Sequence, residues 1–392
     1  MKKVKLLNKM AKVGLDELPE GYVVGEDVSS PEAILVRSAD MHSYEMNPEL
    51  LAIARAGAGV NNIPIAECAS KGIVVFNTPG ANANAVKELV LAGLLLASRD
   101  IVGGIEWVKD NSDDPSLAKS VEKNKSRFAG CEIRGKKLGV IGLGAIGGAL
   151  SNAADHLGMK VYGCDPYITI DAAWNISRSV VRVKTREEIY SECDYITLHV
   201  PLIDDPDPNV RTKHMINEES IAKMKDGVII LNFARGALVD YDALKAALSS
   251  GKVKAYVTDF PEPQIASEKG VIAIPHLGAS TEESEDNCAV MSARQVADFL
   301  ENGNIKNSVN YPDVVLPESG EYRLCVLHKN IPGIVAQLAG AVANEGLNIS
   351  NMINKSRGDY AYTVIEISGE LPDHAVEAVS LINGVIRTRA IK

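Results

Sequence analysis

The sequence predicts an α/β protein built around a doubly wound parallel sheet, and three observations carry that prediction. Short β-branched runs alternate with helical stretches almost throughout the 392 residues, the rhythm of strand–helix units. From Leu138 six such runs follow in order: "LGVIGLG", "KVYGCD", "YITLHVP", "GVIILNF", "KAYVTDF" and "GVIAIPH". The first of them opens into Gly142-x-Gly144-x-x-Gly147, a turn that only glycines make cheaply. A chain of this length exceeds one ordinary core, so two to three domains are expected.

Taken in order, "AILVR" (33–37) and "GIVVFN" (72–77) read as early strands, and residues 81–108 as one long helix too apolar for a surface position. Residues 115–137 are polar and mark a boundary before the six runs. A second long helix starts at "TEESEDNCAV", residues 304–322 read as a linker with two prolines, and the last ~70 residues form a βαβ-type unit. Composition is 46% hydrophobic and 23% charged, with a formal net charge of −10 and no block of like charge. That balance argues against nucleic-acid or anionic-membrane partners, which need a basic face. The N-terminal stretch lacks the apolar core of a signal peptide, and no apolar run reaches the ~18 residues of a membrane span. Six scattered cysteines without a C-x-x-C pair read as reduced thiols in a cytoplasmic protein with no metal site.

The glycine pattern gains meaning from its context, a strand before it, an Ala-rich helix after it and a second strand ending at Asp165. Gly142 permits the tight turn, Gly144 lets the backbone approach a pyrophosphate, and Gly147 lets helix pack on strand. Amides around Ala145 and Ile146 then face the phosphates at a helix N-terminus. Asp165, 18 residues past Gly147, accepts both ribose hydroxyls and repels a 2′-phosphate, so NAD is the expected cofactor and the domain a Rossmann domain.

Three later strands deliver ionisable groups to the same edge of the sheet. Arg235 follows "VIILNFA", Asp259 and Glu262 follow "AYVT", and His276 follows "VIAIP". A guanidinium holds a carboxylate by bidentate bonds. A histidine, with an ordinary pKa of ~6.5, exchanges a hydroxyl proton near neutral pH, and an acid partner orients it. That set suits hydride transfer at a hydroxy acid. Ala234 and Gly236 flank the arginine with small residues, leaving room for substrate and cofactor.

With "VIGLGAIG", the motifs "GVIILNFARGALVD", "TDFPEP" and "IPHLGAST" make the chain similar to the D-isomer-specific 2-hydroxyacid dehydrogenases over residues 33 to 310. The resemblance implies Arg235 as the substrate arginine, Glu262 as the histidine's partner and His276 as general acid/base. Asp259 would bond the nicotinamide amide, with Thr78, Ala234, Gly278 and Ala279 at the cofactor. In "RAGAGVNNI" the amides of Ala58 and Gly59 would meet the substrate carboxylate. Glu262 stands three residues past Asp259, where the family usually has about five.

The tail "LHKNIPGIVAQLAGAVANEGLNISNM" resembles an ACT domain. Family members with such a tail act typically on D-3-phosphoglycerate, in the first step to L-serine, with L-serine bound between paired tails as inhibitor. The resemblance implies that substrate, effector contacts at His328, Asn330 and Asn348, and a homodimer or homotetramer. Arg37 and Arg55 would meet the substrate phosphate, with Lys125 and Arg127 as further candidates from a neighbouring subunit. It also implies a Rossmann domain (98–272) inserted in a flavodoxin-like substrate domain (1–97 and 273–310), followed by the ACT domain (320–392). Two alternatives stay open: another D-2-hydroxy acid as substrate, or a non-catalytic NAD-sensing regulator.

Overall fold

A computed structural model describes all 392 residues and divides into two compact units. One comprises Met1–Asn82 with Glu282–Lys392, the other Ala83–Thr281.

The first unit opens with five short strands, β1 (Lys3–Leu6), β2 (Val23–Gly25), β3 (Ala33–Val36), β4 (Ala52–Arg55) and β5 (Val74–Phe76). They pair in parallel in the order β2-β1-β3-β4-β5, the flavodoxin-like order that was expected. Strands β3 and β5 are buried at every residue, which is why they read as unbroken apolar runs. Ile34, Ile53 and Val75 face one core cluster. Ala54 and Phe76 face another, shared with Val296 and Phe299 of the helix Glu282–Asn302.

The carboxyl-terminal segment of the same unit has its own antiparallel sheet, β13 (Tyr322–Lys329), β14 (Asn348–Arg357), β15 (Tyr360–Ser368) and β16 (Val385–Ile391), in the order β14-β15-β13-β16. With the helices Ile334–Asn344 and Asp373–Ser380 the chain order is the split βαβ arrangement. Strand alternation sorts its side chains between two cores. Leu324, Val326, Ile365 and Ile367 pack with the two helices, while Cys325, Leu327, Tyr362 and Val364 join the cluster around Phe299.

Residues 304–322, expected to be a linker, are instead packed. Ile305, Tyr311, Val314 and Leu316 are buried, and the Tyr311 hydroxyl donates to Ala69 O at 2.7 Å. Arg357 of the last sheet fixes it further, its Nη1 donating to Ser308 O at 2.6 Å, while Arg387 Nη1 ties that sheet to the start of the chain by donating to Leu50 O at 2.6 Å.

The second unit is a seven-stranded parallel sheet, β12-β11-β10-β9-β6-β7-β8. Its strands are β6 (Lys137–Ile141), β7 (Lys160–Cys164), β8 (Val181–Arg182), β9 (Tyr195–Leu198), β10 (Val228–Asn232), β11 (Val253–Thr258) and β12 (Val271–Ala273). All six runs read from the sequence are strands; the seventh, β8, has two residues and is too short to show a pattern. The order reverses between β6 and β9, which opens a crevice at their carboxyl ends.

The helix expected over 81–108 is two helices, Ala83–Ser98 and Ile101–Asp110. The break falls at Asp100, whose side chain caps the second helix by accepting from Gly103 N at 3.0 Å. The expected boundaries at 97/98 and 272/273 also move, to 82/83 and 281/282. The cause is packing: Val86, Val90, Leu94 and Ala97 share a core with Val140, Leu231, Phe233 and Val257 of the second sheet. Gly93 allows that approach, since a Cβ there would lie 2.9 Å from the Phe233 ring. No helix is long and apolar enough to cross a membrane.

Candidate active site

The glycine loop follows β6, and its three glycines have three distinct causes. Gly142 has φ +94°, and a Cβ on it would lie 2.5 Å from the His199 carbonyl oxygen. A Cβ on Gly147 would lie 1.9 Å from the Gly142 oxygen, so helix and turn touch there backbone to backbone. Around Gly144 no atom lies within 4 Å of the missing Cβ; nothing in the chain itself requires glycine at that position. Gly144 caps the helix Ala145–His156, and the amides of Ala145 and Ile146 find no protein acceptor. Asp165 follows β7 and fixes the loop by accepting from Leu143 N at 2.8 Å and from Tyr167 N at 2.9 Å. A carboxylate has about four lone-pair positions, so it retains acceptor capacity.

Beside the loop, β9 is followed by His199, which the sequence reading had not singled out. Its Nε2 lies 2.9 Å from Thr197 Oγ1, and burial pushes the imidazole down to about 4. The folded chain therefore keeps His199 neutral, while the unfolded chain protonates it below ~6.5. Its stabilising contribution is complete above ~6.5 and is lost as pH falls from there toward 4, by up to about 3 kcal/mol. Thermal midpoints at pH 7 and pH 5 should show this decline, and His199→Gln should flatten it.

The turn after β10 is organised by Asn232, fully buried and likewise unremarked in the sequence reading. Its Nδ2 donates to Arg235 O at 2.9 Å and to the Tyr256 hydroxyl at 3.1 Å, and its Oδ1 accepts from Ala234 N at 3.2 Å. Thr258 ties the adjacent strand end, donating to Asn232 O and accepting from Phe260 N. Arg235 projects from this turn, exposed, with a single side-chain hydrogen bond, Nη1 to Ala234 O at 2.6 Å, and no ion pair. Gly236 is small for a reason other than ligand room: a Cβ there would meet the Tyr241 hydroxyl at 2.7 Å.

Asp259 is 1% exposed. One oxygen accepts from Gly278 N at 3.3 Å, and the other, Oδ1, is buried without a partner. Burial raises its pKa above the usual carboxylate range, against the pull of His276, the Gly278 amide and Arg235. That opposition places arginine, carboxylate and histidine within one electrostatic neighbourhood. His276 is exposed and its ring packs on Phe260 with centroids 4.7 Å apart. Glu262 departs from expectation. It is exposed, no ion pair joins it to His276, and the group that feels its charge is Tyr241, whose buried hydroxyl has no partner. In the short loop the Glu262 carbonyl accepts from the amides of Ile265 and Ala266. Gly278 is buried beside Asp259, while Ala234 and Ala279 are half-buried.

In the first unit Arg37 follows β3 and Arg55 ends β4. Gly57 has φ +149°, and a Cβ on it would lie 2.5 Å from Arg55 Nη1, so the guanidinium folds over the loop. The amides of Ala58 and Gly59 find no protein acceptor. Thr78, expected at the cofactor, is fully buried and accepts from Gly57 N at 2.7 Å. Lys125 pairs with Glu122 and Arg127 lies over the Phe128 ring. His328 is 1% exposed with both ring nitrogens engaged, by Lys329 O and Thr363 Oγ1 at 2.8 Å each. Asn330 donates to Gly358 O. Asn348 pairs with Ser368, whereas Lys329 pairs with Tyr360, so within one chain Asn348 and Asn330 lie at opposite ends of the sheet. No group of acidic, histidine or cysteine side chains forms a metal site, and all six cysteines are free.

Residues 91–278 match the family described as D-isomer specific 2-hydroxyacid dehydrogenase, NAD binding domain. Over 390 residues the chain is 34% identical to D-3-phosphoglycerate dehydrogenase of Haemophilus influenzae, covering 95% of this chain and 89% of that one. The chain belongs to the D-isomer-specific 2-hydroxyacid dehydrogenases. Its identity to the D-3-phosphoglycerate dehydrogenase of Escherichia coli (strain K12) is 32%, covering 88% of this chain and 82% of that one. Among solved structures it is similar to the NAD+-bound 3-phosphoglycerate dehydrogenase of Entamoeba histolytica, with 27% identity, a TM-score of 0.58, and coverage of 79% of this chain and 98% of that one. D-mandelate dehydrogenase of Rhodotorula graminis shares the fold, with 24% identity, a TM-score of 0.64, and coverage of 81% and 99%. The family's matched domain binds NAD, and the residues present suit it. The open space at Gly144, the free amides of the helix start and the unpartnered Asp259 oxygen are groups that a dinucleotide would use.

Proposed function

We propose that the protein oxidises D-3-phosphoglycerate to 3-phosphohydroxypyruvate with NAD. The observation that carries this reading is the gathering of Arg235, Asp259 and His276 at the strand ends of the sheet that bears the glycine loop, in a chain whose relatives are named for that reaction. NAD would be held by Gly142, Gly144, Ala145, Ile146, Gly147 and Asp165, with the Asp259 oxygen, Ala234, Gly278 and Ala279 at the nicotinamide end. When bound, it supplies the acceptor for the hydride that leaves C2. Arg235 takes the substrate carboxylate by charge-assisted bonds, with the amides of Ala58 and Gly59 as further donors. His276 removes the C2 hydroxyl proton, leaving a carbonyl at C2 and an imidazolium on the enzyme. The negative charge of Asp259 stabilises that imidazolium, and Glu262 adds to it from the loop. Arg37 and Arg55 take the phosphate, with Lys125 and Arg127 as further cations.

A panel of D-3-phosphoglycerate, D-glycerate and D-lactate, read as NADH formation with and without L-serine, tests the reading. The phosphorylated acid should turn over fastest, and Arg37→Ala should raise its KM at least fivefold while leaving that for D-glycerate unchanged. Serine inhibition would support His328, Asn330 and Asn348 as contacts shared between two copies, because a seam between paired tails could bring opposite sheet ends together. A homodimer is further supported by the apolar surface of Leu95, Ile101, Val102, Ile105 and Val108, each more than 40% exposed. Equal rates on all three acids would favour a general D-2-hydroxy acid dehydrogenase.

A further inference from the structure

We infer that Glu285 sets the enzyme's affinity for the distal anionic group of its substrate, by occupying the guanidinium that this group must take. The inference rests on the reading of Arg37 as the phosphate-binding arginine. Glu285 lies in the first turn of the helix Glu282–Asn302. Its Oε1 accepts from Arg37 Nη2 at 2.7 Å, and the two side chains remain 45% and 42% exposed. The arginine end of the pair is built onto a fixed backbone. Asn8 Oδ1 accepts from the amides of Arg37, Ser38 and Ala39 at 2.9, 3.0 and 3.1 Å, and Arg55 Nε donates to Arg37 O at 3.0 Å. One turn further along the helix the buried Cys288 feels the positive charges of Arg37 and Arg55 and the negative charge of Glu285.

A carboxylate already seated on Arg37 is an internal competitor for an incoming phosphate. A phosphate brings nearly two charges and more acceptor oxygens than a carboxylate, so it can displace Glu285, at the expense of the existing pair. An uncharged distal group, such as the hydroxyl of D-glycerate, makes no such demand. Glu285 thus lowers affinity for phosphorylated substrates and leaves that for unphosphorylated ones unchanged. Exposed ion pairs are worth little, roughly a two- to fivefold change in an equilibrium, and the expected effect has that size.

The test is steady-state kinetics of the full-length chain and its Glu285→Gln variant with D-3-phosphoglycerate and D-glycerate. We expect KM for D-3-phosphoglycerate to fall two- to fivefold in Glu285→Gln, with kcat and the KM for D-glycerate unchanged. The effect should vanish in the Arg37→Ala background. An unchanged or raised KM for the phosphorylated acid, or an effect that persists without Arg37, would overturn the inference while leaving the phosphate role of Arg37 standing. If Arg37→Ala alone leaves that KM unchanged, the underlying reading of Arg37 falls and the inference with it.

Discussion

Replacing His276 by glutamine should lower kcat for D-3-phosphoglycerate oxidation by 10²–10⁴-fold, the range that a positioned acid/base group contributes. Affinity for NAD should stay within about twofold, because the cofactor loop after β6 makes no use of the imidazole. Steady-state kinetics beside calorimetric titration with NAD would separate the two. The carboxylates around the ring sharpen the prediction. Each would stabilise the imidazolium formed as the hydroxyl proton leaves, so removing either should lower kcat. Asp259 is buried and in electrostatic contact with His276, whereas Glu262 is exposed and faces Tyr241. Asp259→Asn should therefore lower kcat further than Glu262→Gln. The opposite order would mean that the loop carrying Glu262 moves onto the histidine in the working enzyme.

The second large effect belongs to the glycine loop. Gly147→Ala forces a methyl group to within 1.9 Å of the Gly142 oxygen, a contact that only displacement of the helix from β6 can relieve. We expect NAD binding to weaken at least 100-fold and stability to fall by about 1–3 kcal/mol, as overpacking does. Gly144→Ala should behave differently, since no atom lies within 4 Å of its added Cβ. Its Tm should be unchanged and only NAD affinity should fall, by about tenfold. Thermal melts and NAD titrations of both variants check this pair, and equal losses of stability would contradict the assignment of Gly144 to ligand approach.

What was legible in the sequence was local. A glycine spacing, a carboxylate at the next strand end and four motifs in order are written within short windows, and each is tied to a strand by hydrophobic runs of five or six residues. What was not legible depends on partners distant in the chain. The break at Asp100 turns on a single cap inside an apolar stretch. The reason for Gly236 is the Tyr241 hydroxyl, five residues on but brought under the turn by the fold. Asn232 stands where an apolar run stops, and only its bonds to Arg235 and Tyr256 show it to be the brace of the arginine turn. The Arg37–Glu285 pair spans 248 residues of sequence, and no spacing rule reaches that far. The lack of an ion pair between Glu262 and His276 was not legible either: its position three residues past Asp259 was visible, but where the turn would carry the side chain was not.

The most direct test of the central claim, hydride transfer from C2 with His276 taking the proton, is oxidation of D-3-phosphoglycerate deuterated at C2 in the presence of NAD+. The mechanism predicts NADH carrying one deuterium per turnover, and none when the unlabelled acid is oxidised in D2O. No NADH from this substrate despite bound NAD, or NADH without the label, would contradict it.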